Sequence, residues 1–458
     1  MINTPDDEWH LHHDTYAAVQ DAASRIGCPI CVELVKRIDE FTPSSSSDNR
    51  TCIKYGFIKV DPDYRIVDLK VDESDNYPSS TDFRWHLIRV SGIEYDKHLA
   101  SLHHVCLNTP PSSTGDPDVA ALARSWLDEC QREHTTCYNG SPDYYPPRLL
   151  DLNESVPRLV TTEPLIEQRR INGPYATLSH CWGPNPQFLT LTQDNIHQLQ
   201  QEIPIPNLPA TFGDAISFCR QLNLQYLWID SLCIIQSGDN SQDQSLHLPK
   251  IPAIYRNALL NISAAHVASP TEPLFSARNP QAIKPILLKN EYLLISDSFL
   301  EDEPFHSPLH RRAWVLQERL LSPRVVHFGR NQVFWECSEW NKDAMRSETF
   351  QGGLPRKLGL DKEFDLPDFQ STEKEDADEA MSVLVSEYSD CKLTYPDHDK
   401  LVAFAGIAEH FSRVCGDEYV AGLFLREFPD ALVWIVLIPP KSRPEYRIYR
   451  CPSWSWGN

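Results

Sequence analysis

Tyr175-Ala176-Thr177-Leu178-Ser179-His180-Cys181-Trp182 alternates apolar and small polar residues as a strand does, and it stops at Gly183-Pro184. After a loop, Leu208-Pro209-Ala210-Thr211 opens a segment in which Ala215, Phe218, Cys219 and Leu222 fall at i, i+3, i+4 and i+7, the apolar face of a helix. Thr211 with Asp214 three residues on has the form of a capping box. Tyr226-Leu227-Trp228-Ile229 is then a short apolar run, read as a buried strand that ends at Asp230. Strand, helix and strand of this length form a βαβ unit, so the two strands run parallel in one sheet. In open α/β sheets ligands bind outside the carboxyl ends of the strands. The loop after Trp182 and the loop after Ile229 are therefore expected at one rim.

Outward from this unit the pattern continues. Residues 254–260 read as helix and 260–265 as a third strand; 283–287 with 293–295 read as a hairpin. A helix over 313–321 precedes a second strand pair at 324–328 and 332–336. The N-terminal part mixes helices at 17–38 and 119–132 with strands at 57–60 and 64–71. The domains expected are an α+β region at 1–165, the α/β domain at 170–340, a polar exposed insertion at 341–378 and a mainly helical region at 379–458.

Composition bounds the function. The chain has 458 residues with 42 Lys+Arg against 64 Asp+Glu, a net charge of −22. Nucleic acid and anionic membranes require a basic surface, so neither is an expected partner. No run of about 18 apolar residues is present, and the first residues lack the basic and apolar regions of a secretory signal. Thirteen cysteines, an odd number scattered through apolar segments, read as reduced thiols of cytosol or nucleus rather than a disulfide framework, and a cytoplasmic location is expected. There is no GxxxxGK[ST], GxGxxG, GxSxG or HExxH, which disfavours P-loop enzymes, dinucleotide dehydrogenases, elbow-type serine hydrolases and zincins.

The candidate chemistry gathers at the predicted rim. Asp230 is either a ligand-binding or catalytic carboxylate or a cap of the following turn, with Ser231 beside it. His180 and Cys181 are adjacent on a strand and point to opposite faces, so His180 cannot activate Cys181. His180 then faces the cleft and Cys181 the core; Trp182 packs the loop or lines the ligand. Arg311, Trp314 and Glu318 share one helical face, with Arg312 alongside, and Glu318 is a candidate acid or base if Trp314 keeps it dry. Cys28-Pro29-Ile30-Cys31 and the series Cys130, His134, Cys137 supply five soft ligands. Four of these could close a structural zinc site, though as buried thiols they need no metal, and no metal ligand is assigned.

Three blocks together resemble the fungal heterokaryon-incompatibility (HET) domain: residues 178–183, residues 208–216 with 226–236, and residues 312–322. The segment Trp126 to Asp151 is similar to the usual upstream region, and the final Pro-Ser-Trp-Ser-Trp to the downstream one. Family members usually continue past that motif, so by comparison the chain stops short. The resemblance implies a fungal protein of non-self recognition and regulated cell death, acting through protein partners or self-association. It also implies distant kinship to Toll/interleukin-1-receptor (TIR) domains and a TIR/flavodoxin-like sheet. Some TIR domains hydrolyse NAD with a single Glu, which makes NAD the substrate implied by the enzyme alternative; a recruited biosynthetic enzyme is the other version. Where the family pattern has that Glu, this chain has His247, flanked by Pro249 and Pro252. The alternative therefore rests on Asp230, Glu318, His247 and His180, with Trp182, Ser231, Arg312 and Trp314 contacting the ligand.

Overall fold

The computed structural model describes residues 109–288, 307–338, 374–433 and 449–457 apart from a few positions, together with 346–348, parts of 10–35, and strands at 53–61, 64–71, 83–89 and 292–296. Two compact units interleave along the chain. The first comprises 1–114, 277–303 and 346–361, and the second 115–276, 304–345 and 362–458. Residues 277–303, which fall within the interval 170–340, group with the first unit.

In the first unit, six antiparallel strands lie in the order His10–His13, Ile53–Asp61, Tyr64–Val71, Phe83–Arg89, Tyr292–Ser296, Ile286–Leu288. The hairpin expected near 283–295 forms its far edge. The helix expected from residue 17 is Tyr16–Asp21, capped by the Thr15 hydroxyl and followed by a wider π-type turn at Ala22–Ile26. The insertion expected at 341–378 lies largely outside the described residues. Within the part that is described, Glu348 makes a buried bidentate ion pair with Arg278.

The second unit is built on a sheet of β1 (Arg148–Asp151), β2 (Arg158–Thr161), β3 (Tyr175–Ser179), β4 (Tyr226–Trp228), β5 (Leu260–Ser263), β6 (Arg324–Phe328) and β7 (Val333–Cys337). They run β7-β6-β5-β3-β4-β1-β2. Strands β4, β3, β5 and β6 are parallel, while β1, β2 and β7 are antiparallel additions at the two sides. Every residue of β3, β5 and β6 is buried, as expected for parallel strands covered on both faces. The helices used below are α1 (Pro117–Glu133), α2 (Ala210–Gln221), α3 (Asp230–Cys233), α4 (Gln242–His247), α5 (Ile251–Asn257), α6 (Ala313–Leu321), α7 (Lys374–Asp390) and α8 (Val402–Cys415). Along the sheet the chain passes from β3 outward to β4 and then back to β5 on the other side of β3. The connection reverses there, which makes the β3/β5 edge the switch point.

Helix α2 has the expected apolar face, but not the expected capping box. Pro209 precedes it without a side-chain cap. Thr211 Oγ1 instead donates to the Glu272 carbonyl at 2.6 Å, and the Asp214 carboxylate accepts from the Phe275 N–H. Both side chains fasten the loop after β5. Near the C-terminus Tyr388 of α7, Phe404 of α8 and Trp456 pack edge to face, and the Trp456 indole donates to the Gly422 carbonyl. Gly422 has φ +99°, and a Cβ there would meet Ser455 Oγ at 2.7 Å, so glycine is required. Among the described residues no helix is long and apolar enough to cross a membrane.

An ion cluster sits under the β6–β7 hairpin. Arg319 forks onto Glu336, Nε to Oε2 and Nη2 to Oε1 at 2.8 Å each, and His327 Nε2 lies 2.9 Å from the same carboxylate. Burial works to raise the Glu336 carboxyl, but the Arg319 charge and the bonds from His327 and Arg319 hold it well below the usual carboxylate range. Burial also lowers the His327 imidazole. Both shifts mean that the folded state binds fewer protons than the unfolded chain, so stability grows with pH. The histidine contribution is present above an unfolded pKa of about 6.5 and the carboxylate contribution above about 4.3, and each is lost as pH falls through the folded value. Thermal melts followed by circular dichroism should therefore lose stability in two stages on acidification. Glu336→Gln should cost about 3–5 kcal/mol at neutral pH, because it strands Arg319, and should flatten the lower stage. A variant that melts with the wild type would show that the cluster contributes nothing net.

Candidate functional site

Ser179, the last residue of β3, is buried beside Asn261 of β5 at the switch point. A polar side chain in a fully buried strand needs partners. Asn261 Oδ1 accepts from Thr177 Oγ1 at 3.1 Å, Asn261 Nδ2 donates to Ser179 Oγ at 3.0 Å, and Ser179 Oγ donates to Glu318 Oε2 at 2.5 Å. Glu318 reaches the edge from α6, and the Tyr255 hydroxyl of α5 lies beside both Glu318 and Ser179. Part of Glu318 remains accessible, while protein surrounds its carboxyl. Burial raises that carboxyl, and the Arg312 charge and the Ser179 hydroxyl only partly oppose the shift. Burial, together with the nearby Glu318 and Asp230 charges, pushes the Tyr255 phenol well up, so it stays a donor.

Asp230 opens α3 where β4 ends. Its Oδ2 accepts the Trp182 indole N–H at 2.9 Å and its Oδ1 the Ser231 backbone N–H at 2.6 Å. The loops after Trp182 and Ile229 thus meet at one rim, as the βαβ reading requires. His180 Nδ1 stands 3.7 Å from Asp230 Oδ1, beyond hydrogen-bond reach. Burial brings the imidazole down to about 4, against the pull of Asp230, so near neutral pH it carries no charge and makes no ion pair. Its ring meets Phe212 edge to face at 4.9 Å and stacks beside Trp182, with Phe188 closing the aromatic wall. The Arg312 guanidinium donates to the His180 carbonyl. His180 Nε2 and Ser231 Oγ are buried without a hydrogen-bond partner.

Of the eight residues expected at the site, His180, Trp182, Asp230, Ser231, Arg312 and Glu318 come together. Two do not join them. The Trp314 indole donates to Asp399 at 3.2 Å and so ties α6 to the segment before α8. His247 ends α4, where its Nδ1 sits 2.8 Å from the Asp243 carbonyl and its Nε2 3.5 Å from Arg148. Arg148 pairs with the Asp243 carboxylate and donates to the Cys233 carbonyl at 2.7 Å. His247 thus belongs to a latch that fastens α4 onto β1. Cys181 faces away from the site, packed with Leu309 and Val315, and burial raises its thiol to about 11.

Ser179, Tyr255 and Asn261 are the contributors that sequence reasoning passed over. The available signal was Asn261, an amide in the middle of the apolar strand Leu260–Ser263, where a buried polar group demands a partner. The proposed sulfur ligands also regroup. Cys130, His134 and Cys137 converge with Cys337, while Cys28 and Cys31 lie in the first unit without a disulfide between them, Cys31 Sγ 3.2 Å from His13 Nε2.

Residues 175–318 match the family model described as heterokaryon incompatibility protein (HET), an interval that opens on the first residue of β3 and closes on Glu318. No curated protein and no solved structure matches the chain.

The raised Glu318 carboxyl has a consequence for stability. The folded state holds that proton more tightly than the unfolded chain, so the favourable contribution is lost as pH rises through the folded value. Glu318→Gln removes the charge but keeps an acceptor for Ser179 and Tyr255. It should be as stable as the wild type at mildly acidic pH and more stable at about pH 8, by differential scanning fluorimetry across pH. A loss of more than about 1 kcal/mol at pH 8 would instead make Glu318 a structural ion partner.

Proposed function

Because the chain carries a HET domain over residues 175–318, we propose that it is an incompatibility-type effector of fungal non-self recognition that acts by hydrolysing a small ligand, with NAD the substrate class to test first. The observation that carries this reading is the meeting of two carboxylates of unlike environment at the switch point, Glu318 enclosed and raised, Asp230 tied to Trp182 and Ser231. Active sites are where titratable groups with perturbed pKa values converge. The order of the four parallel strands supports a flavodoxin-like reading, and in such sheets ligands sit at this edge. A purely adaptor role gives no reason for a network that leaves His180 Nε2 and Ser231 Oγ unpartnered.

In this reading the nicotinamide ring packs against Trp182 and Phe188, and the ribose enters between Asp230 and Glu318. The bond from the anomeric carbon to the ring nitrogen breaks, and its electron pair leaves with neutral nicotinamide. The Asp230 carboxylate offsets the positive charge that develops on the ribose. Water adds to the anomeric carbon, and ionised Glu318, a stronger base for its raised pKa, takes the proton. Tyr255 and Ser179 hold the carboxyl, and Arg312 steadies the rim. The position of His247, in the Arg148–Asp243 latch, means that the absent family Glu does not leave this edge without carboxylates.

The purified full chain incubated with NAD should release nicotinamide, followed by liquid chromatography. Glu318→Gln should lower the rate by about 10²–10⁴-fold, and Asp230→Asn should also impair it. His247→Ala should retain turnover at a temperature where it stays folded. Unchanged NAD at stoichiometric wild-type protein would reject this chemistry.

A further inference from the structure

We propose that Cys130, His134, Cys137 and Cys337 hold a structural zinc ion that clamps α1 to the end of β7. One ligand atom from each residue lies within 4.8 Å of all the others. His134 Nδ1 is 3.4 Å from Cys337 Sγ and 3.7 Å from Cys137 Sγ. A tetrahedral zinc with Zn–S of about 2.3 Å and Zn–N of about 2.0 Å sets nitrogen and sulfur about 3.5 Å apart. Three thiolates and one imidazole are a closed structural ligand set, with no position left for substrate.

The local chain explains why the ligands meet. Cys130 is in the last turn of α1, and His134 caps that helix four residues on, with its N–H on the Cys130 carbonyl at 3.1 Å. Spacing of i, i+4 puts both side chains on one face. Cys137 follows on the turn back. Cys337, 203 residues beyond His134, is the final residue of β7 and is brought across by the sheet. Trp126, one turn before Cys130, packs against Trp335 at 6.2 Å, which sets the distance between helix and strand.

Charge balance points the same way. Zinc with three thiolates carries one net negative charge, which is costly in a buried site unless a cation faces it. Arg324 is fully buried, lies directly opposite Cys337 in the β6–β7 ladder, and places Nε 3.1 Å from Cys130 Sγ. Its remaining N–H groups reach the Leu259 and Cys137 carbonyls. The core thiols Cys219 and Cys233, by contrast, belong to no such ligand cluster and pack among apolar side chains. A disulfide would use two of the three sulfurs and give the imidazole no role.

The test uses the full chain, expressed with added zinc and purified without chelator. Elemental analysis should find one zinc per chain, and X-ray absorption at the zinc edge should show three sulfur neighbours and one nitrogen. Cys337→Ser should lower the zinc content about tenfold or more, His134→Cys should keep it, and the double variant Cys28→Ser/Cys31→Ser should leave it unchanged. Metal-free wild-type protein, a zinc shell without sulfur, or an intact mass showing a disulfide among these cysteines would overturn the proposal. The absorption measurement needs no variant, so it decides the matter even if Cys337→Ser fails to fold.

Discussion

Ser179 Oγ accepts a hydrogen bond from the Asn261 amide on one side and donates one to Glu318 on the other. That chain of bonds joins the centre of the sheet to α6, and it exists because two adjacent parallel strands each place a polar residue where water cannot reach. The protein satisfies them with each other and with a carboxyl from the covering helix. The enclosed carboxyl is disfavoured as an anion, Tyr255 is kept protonated beside it, and Arg312 is drawn to the same rim. Most of the chemistry at this edge follows from the burial of one serine and one asparagine.

The β3–α2–β4 unit was legible because each element carries its own period and terminus: alternation to Gly183, an i, i+3, i+4 face, then an apolar run to Asp230. The same reasoning placed Asp230, His180 and Trp182 at one rim, since it needs only that parallel strands end on the same side; Glu318, on a helix, was reached through the face it shares with Arg311 and Trp314. It failed where side chains choose between competing partners. Thr211 and Asp214 have the spacing of a capping box, yet the loop after β5 offers them a carbonyl and an N–H that cap spacing does not reveal. His247 was placed by counting along a family pattern, and spacing along the chain cannot report that Arg148 and Asp243 claim the imidazole. Cys337 was invisible for a simpler reason: Val333-Phe334-Trp335-Glu336-Cys337 reads as an ordinary strand, and its partners lie about two hundred residues earlier.

The β6–β7 hairpin carries two polar clusters on its two faces. Residues opposite each other in an antiparallel ladder share a face. The pairs Arg324 with Cys337 and Val326 with Trp335 therefore look toward α1 and the sulfur cluster. Val325 with Glu336 and His327 with Phe334 look the other way, toward Arg319. A slip of β7 by one residue would turn Cys337 toward Arg319 and drive Glu336 toward the thiols. Apolar strands specify register weakly when both faces are covered, because Val, Phe and Trp are acceptable on either side. Here the buried carboxylate opposes the alternative, since Glu336 meets Arg319 and His327 only in the native pairing. The cost of burying Arg324, Glu336 and His327 is thus repaid as a unique register. His327, held in that register, meets Ser263 Oγ of β5 at 3.1 Å, which ties β6 to the strand that carries Asn261.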